Sequence, residues 1–124
     1  MSDGDPLLVI VDAANVVGSV PDGWWRDRQG AAERLRDRLA TDGLPGRTAP
    51  AEIVLVVEGA ARGVETVPGV RVESAPGSGD DHMVDLVAGA GERPVLVVTA
   101  DRELRRRVQE LGAEVTGPRT VRPA

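Results

Sequence analysis

Three short, unbroken apolar runs punctuate the chain, and each is closed by an acidic residue. Leu7-Leu8-Val9-Ile10-Val11 runs into Asp12, Ile53-Val54-Leu55-Val56-Val57 into Glu58, and Val95-Leu96-Val97-Val98 into Thr99-Ala100-Asp101. Continuous apolar stretches of this length are the pattern of strands buried on both faces, so they predict strands over 7–11, 52–57 and 95–98. Val70-Arg71-Val72 follows the turn Pro68-Gly69 and alternates, which predicts a shorter strand at 70–72. Ala113-Glu114-Val115 predicts a last one. Helical spacing fills the gaps. Ala31, Leu35 and Leu39 predict a helix over 26–41, stopped by Asp42-Gly43 and Pro45-Gly46. A second helix over 80–90 follows the loop Pro76-Gly77-Ser78-Gly79, with Ser78 as N-cap and Asp81 three residues on, and ends at Gly89 and Gly91. Leu104, Val108 and Leu111 share one face of a helix over 101–111. Residues 16–25 read as a loop. Strands alternating with helices imply βαβ units: an α/β fold with a mainly parallel sheet of about five strands and helices on both faces.

That arrangement gives the acidic residues a common address. Neighbouring parallel strands end on one edge of the sheet, which is where open α/β sheets bind ligands. Asp12, Glu58 and Asp101 would meet there, beside Asp80-Asp81 at the start of a helix. Converging carboxylates repel one another unless a cation or a proton sits among them, so a site for Mg²⁺ or Mn²⁺ is the natural reading. Each motif also has a plainer one. Asp12-x-x-Asn15 suits an Asx turn or a helix cap. Asp80 and Asp81 suit the positive end of a helix. Thr99 and Asp101 suit a cap, and Glu58-Gly59 an exposed turn. Asp85, one turn after Asp81, is an outer ligand or a solvated helix residue. The single His, His82, is more readily a surface or packing residue than a base. Arg105-Arg106-Arg107 spreads over most of a turn, so the three cannot all face one ligand; the run reads as a solvated face, or as a phosphate contact by one or two of them. Arg102 stands nearer the proposed site. Trp24-Trp25 with Arg26 and Arg28 is the one aromatic–basic cluster, fit to stack on a nucleobase or to pack over the sheet edge.

Length and composition narrow the field. The chain has 124 residues, enough for one domain spanning 1–124, with 1–6 and 117–124 expected as tails. There is no Cys, which excludes disulfides and thiolate chemistry and fits a cytoplasmic protein. The acidic N-terminus lacks the basic region of a signal peptide, and no apolar run nears the ~18 residues of a membrane span. Net charge is −5, from 20 acidic against 15 basic residues, all Arg. Setting aside Asp12, Glu58, Asp80, Asp81 and Asp101 leaves the two signs equal, so the acidic excess matches the proposed site. An acidic chain is poorly suited to sequence-independent duplex binding through a basic face.

In order and spacing these motifs resemble the NYN branch of the PIN-like nucleases, especially YacP-like proteins. Val11-Asp12-Ala13-Ala14-Asn15 matches a first strand ending in Asp-x-x-Asn. Gly79-Asp80-Asp81 matches a helix opening on one or two Asp, and Thr99-Ala100-Asp101 a strand ending in Ser/Thr-x-Asp. Glu58-Gly59 stands where an acidic residue and Gly follow the second strand, with Glu in place of Asp. The likeness spans about residues 7–115. It departs at Ala13-Ala14, where YacP-like chains carry Gly and an aromatic. The resemblance implies a PIN-like three-layer α/β/α fold and divalent-metal-dependent cleavage of RNA, by an endonuclease. It implies Asp12, Asp81 and Asp101 as principal Mg²⁺ or Mn²⁺ ligands, with Asp80 and Glu58 assisting, and Asn15 and Thr99 orienting ligands and water. Arg102, Arg26, Arg28 and Trp24 are the expected RNA contacts. RNA is the expected partner, with no membrane, and a homodimer or protein partner is left open. Two alternatives stand beside this. One is a catalytically inactive PIN-like domain that binds RNA or protein. The other is a phosphoryl-transfer or receiver-type domain, which the absence of Lys and of a second Asp at position 14 argues against.

Overall fold

The structure is a computed structural model that describes residues 6–19, 23–44 and 51–121. Five strands, β1 (Leu7–Asp12), β2 (Ala51–Val57), β3 (Val70–Ser74), β4 (Val95–Val98) and β5 (Glu114–Thr116), form one sheet in the order β3-β2-β1-β4-β5. Every neighbouring pair is parallel. Four α-helices accompany them: α1 (Ala13–Val17), α2 (Arg28–Asp42), α3 (Gly79–Gly89) and α4 (Arg102–Glu110). The two-residue period of each strand divides its apolar side chains between two cores. Val9, Val11, Leu55 and Val57 pack under α1 and α2, while Ile10, Val54, Val56 and Val97 pack under α3 and α4 with Met83 and Leu104. This is the three-layer α/β/α architecture, PIN-like, that the sequence led us to expect. Each fully buried Val, Leu or Ile contributes about 1.5–3 kcal/mol.

The chain runs from β1 to β2 to β3 in one direction across the sheet, and from β4 to β5 in the other. The strand order therefore reverses between β1 and β4, and the crevice beyond their C-terminal ends is the topological switch point. Asp12 ends β1, and Thr99 directly follows β4.

The structure departs from expectation at several places, each with a local cause. Residues 16 and 17, read as loop, belong to α1, which starts because Asp12 caps it: its Oδ1 accepts the Asn15 N–H at 3.3 Å. α2 begins at 28 rather than 26 because Asp27 is the cap, accepting the Gly30 N–H at 2.9 Å, while Trp24–Arg26 form a 3₁₀ turn. Ser78 is the N-cap of α3 by position but makes no side-chain capping bond. β3 continues to Ser74, held in register against Val57. Leu111, expected on the buried face of the last helix, is 49% exposed, because α4 ends at Glu110. Ala113 goes into the core, and β5 starts one residue later than expected. Residues 117–121 are no tail: Pro118–Thr120 form a 3₁₀ turn, and Val121 is buried in the α1–α2 core. The expected stop at Pro45-Gly46 lies outside the described residues; Gly43, with φ +65°, closes α2, its N–H donating to the Leu39 carbonyl. No described helix is long and apolar enough to cross a membrane.

Candidate functional site

Among the described residues, Asp12 and Thr99 are the two buried polar side chains. They bond to each other across the switch point, the Thr99 hydroxyl donating to Asp12 Oδ2 at 2.9 Å. The same hydroxyl accepts the Asp101 N–H at 3.1 Å. Asp101 in turn caps α4, its Oδ1 accepting the Leu104 N–H at 2.9 Å. Asn15, presented by α1, accepts the Ala100 N–H on its Oδ1 at 2.8 Å. Two bonds thus tie β1 and α1 to the turn between β4 and α4. The capping readings of Asp12 and Asp101 are both realised, in the same carboxylates that head the site. Each carboxylate oxygen has two acceptor lone pairs, so a cap does not exhaust it.

Glu58 follows β2, and its Oε2 accepts the Gly79 N–H at 3.2 Å. It satisfies the first N–H of α3, whose N-cap Ser78 makes no side-chain bond. Gly79 makes this approach possible, because a Cβ there would lie 2.7 Å from Glu58 Oε1. Asp80, next on α3, is thereby placed in the same acidic neighbourhood as Asp12, Glu58 and Asp101. The electrostatics register this. Burial pushes Asp12 up to about 6, against the lowering effect of its bonds to Thr99 and Asn15, and Asp80 and Glu58 add to the rise. Asp80 is raised by burial first, then by Asp101 and Glu58, with Arg107 opposing. Among the described residues, no Arg forms a salt bridge with Asp12, Glu58, Asp80 or Asp101.

Asp81 is elsewhere. It is exposed and paired with Arg107, whose Nη2 lies 3.0 Å from Asp81 Oδ1. A 100° step along a helix separates it from Asp80, so only one of two adjacent Asp can face the crevice. Asp81, expected among the principal ligands, is thus turned away from the crevice, and Asp80 is the one of the pair beside Glu58 and Asp101. Asp85 and His82 lie on Asp81's side, lining a small cavity with Ser78. His82 Nε2 stands 2.6 Å from Glu73 Oε1, within hydrogen-bond distance and away from the crevice. The Arg triplet points three ways: Arg105 Nε donates to the Thr99 carbonyl at 2.7 Å, Arg106 pairs with Glu103 and Glu110, and Arg107 holds Asp81. Arg102 is exposed at the start of α4. Neither the seating of Glu58 against Gly79 nor the bond from Arg105 to a backbone carbonyl was expected from the sequence. A Gly directly before two acidic residues was the available signal for the first; the second had none, since its acceptor is a backbone carbonyl.

Trp24 and Arg28 flank a cleft of about 260 Å³ that also includes Glu58. The Arg28 guanidinium sits 5.5 Å from the Trp24 ring centroid. Arg26 lies over Trp25, 5.9 Å away, and Trp25 is half exposed.

The four crevice carboxylates offer only hard oxygen donors, the chemistry that suits Mg²⁺ or Mn²⁺. Among the described residues no Arg is salt-bridged to them, and Arg107 only partly offsets the rise at Asp80, which also fits a cation. As the side chains stand, however, no three acidic or His groups among the described residues come together as a finished ligand set.

No protein-family model matches the chain, and no curated protein does. The fold matches the crystal structure of Rae1 (YacP) from Bacillus subtilis, a tryptophan-to-leucine mutant, with a TM-score of 0.72. The match covers 92% of this chain and 71% of that one at 17% sequence identity. The chain is therefore similar to Rae1 in fold.

Proposed function

We propose that the protein is a divalent-metal-dependent ribonuclease of the YacP-like NYN type, hydrolysing RNA phosphodiester bonds at the switch-point crevice. The observation that carries this is Asp12: a buried carboxylate raised to about 6, electrostatically coupled to Asp80 and Glu58, with no salt-bridged Arg among the described residues. The likeness in fold and the motif order support it.

In this reading Asp12, Asp80 and Asp101 hold the Mg²⁺ or Mn²⁺, with Glu58 beside them. The bound cation supplies a more acidic water and offsets the charge developing on the phosphate. Thr99 fixes the orientation of Asp12 and, through its second bond, the backbone that carries Asp101. Asn15 is held by the Ala100 N–H, so its amide N–H₂ is free among the described residues to donate to a phosphoryl oxygen. Arg102 stands exposed at the rim to contact the strand.

The test is cleavage of labelled single-stranded and structured RNA with Mn²⁺ or with EDTA, using Asp12→Asn as the contamination control. We expect cutting that needs the metal and falls more than about 100-fold in the variant, beyond what losing a supporting group costs. Cutting in EDTA, or equal cutting by Asp12→Asn, defeats the reading.

The lack of a finished ligand set favours a second reading, an RNA- or protein-binding domain without activity. Thermal melting with millimolar Mn²⁺ separates the two. A metal-binding centre raises the melting temperature by linkage, and a decayed one leaves it in place.

A further inference from the structure

We infer that the cleft beside the acidic crevice is a binding subsite for one unpaired nucleobase, with Trp24 as its stacking wall. This rests on the nuclease reading, which places a nucleic-acid strand along the crevice. The cleft lies between the start of α2, the exposed side of α1 and the turn after β2. Ala14, Val17, Trp24, Arg28, Glu58 and Ala61 line it. Among the described residues, Arg28 and Glu58 are its charged lining residues, and the remainder is apolar: Trp24, Val17, Gly59 and four Ala. An apolar cleft that holds an aromatic ring and two charged side chains suits a heterocycle, whose faces stack and whose edge takes hydrogen bonds.

Size points the same way. The volume of about 260 Å³ falls below the ~300–1,000 Å³ of pockets for drug-sized ligands and is ample for one base. A base pair carries its partner with it and cannot enter. Trp24 is half-buried, with its indole against the α1 C-cap: a Cβ at Gly18 would lie 3.6 Å from the ring. The ring thus packs against the end of α1 while it also borders the cleft. Asp27 caps the helix that presents Arg28, so the 3₁₀ turn, cap and first helical residue set Trp24 and Arg28 in one geometry.

Position ties the cleft to the chemistry. Glu58 belongs to both: it lines the cleft and bonds Gly79 at the acidic cluster. Ala13, another lining residue, directly follows Asp12. A nucleotide seated by its base in the cleft thus has its phosphate beside the carboxylates. Trp25, whose ring stands edge-on to Trp24 with centroids 6.1 Å apart, does not line the cleft and serves as the comparison.

The experiment is equilibrium binding of a labelled short single-stranded RNA, and of the same sequence as a duplex, in EDTA at low salt. Wild type is compared with Trp24→Ala, Trp25→Ala and Ala14→Leu; cleavage with Mn²⁺ is recorded separately. Ala14 is exposed, so its enlargement narrows the cleft without touching the core. We expect Trp24→Ala and Ala14→Leu to weaken single-strand binding roughly 5- to 150-fold, the range for one stacked base. Trp25→Ala should change it less than about 2-fold, and the duplex should bind weakly to every form. Full binding by Ala14→Leu, equal losses in both Trp variants, duplex binding as tight as single strand, or no binding by wild type would each overturn the subsite. Binding with this pattern but without cleavage retains the subsite and removes the nuclease reading; cleavage without the pattern does the reverse.

Discussion

At the scale of single residues, the site depends on what each carboxylate touches. Asp12 binds its proton more tightly folded than unfolded, about 6 against an ordinary 3.8. Its favourable contribution is thus complete below about pH 3.8 and is lost as pH rises through 6. In metal-free buffer that loss amounts to on the order of 2–3 kcal/mol between pH 4 and 7. Asp12→Asn, which has no proton to lose, should therefore gain stability relative to wild type over that window, read by urea unfolding at each pH. A constant difference between the two would refute the buried, uncompensated charge. Gly79 makes a second case. Gly79→Ala puts a Cβ 2.7 Å from Glu58 Oε1 and must move that carboxylate. Since Ala is the better helix former, the melting temperature should hold while Mn²⁺-dependent activity falls roughly 10- to 100-fold, as for other supporting groups of metal sites. An unchanged activity would detach Glu58 from the site.

At the scale of elements, helix caps and site residues coincide. Asp101 both caps α4 and faces Asp80. Asn caps as well as Asp, so Asp101→Asn should leave stability within about 0.5 kcal/mol while activity is lost. A large stability loss would make Asp101 a structural cap alone. This double use explains what could be read in advance. Strands β1, β2 and β4 were legible because both sheet faces are covered, leaving unbroken apolar runs. α1 was hidden because it has only five residues and no apolar period of its own; it exists because Asp12 caps it and β1 delivers it. The choice between Asp80 and Asp81 was also hidden. Adjacent residues point 100° apart, and only the placement of α4, with Arg107 opposite Asp81, decides which one turns to the crevice. Residues 117–121 read as a tail because Pro118 and Val121 are isolated apolar positions without period, yet both are buried.

At the scale of the whole molecule, the sheet order brings the pieces together. Asp12 and Asn15, on one side of the chain reversal, meet Thr99 and Asp101 on the other, more than eighty positions away. The alternation of strands and helices made that meeting foreseeable, since parallel strands share a C-terminal edge. The pairing of Arg105 with a backbone carbonyl depends on three-dimensional detail that no pattern of residues carries. On α3, beside the crevice, the 100° step between neighbours turns Asp80 toward the other carboxylates and Asp81 toward Arg107. The most direct measurement is accordingly Mn²⁺-dependent RNA cleavage by wild type, Asp80→Asn and Asp81→Asn, side by side, with EDTA as the blank. The expected result is cutting by wild type, loss of more than about 100-fold in Asp80→Asn, and near-wild-type cutting by Asp81→Asn. Loss in Asp81→Asn with retention in Asp80→Asn, or no metal-dependent cutting by any form, would contradict it.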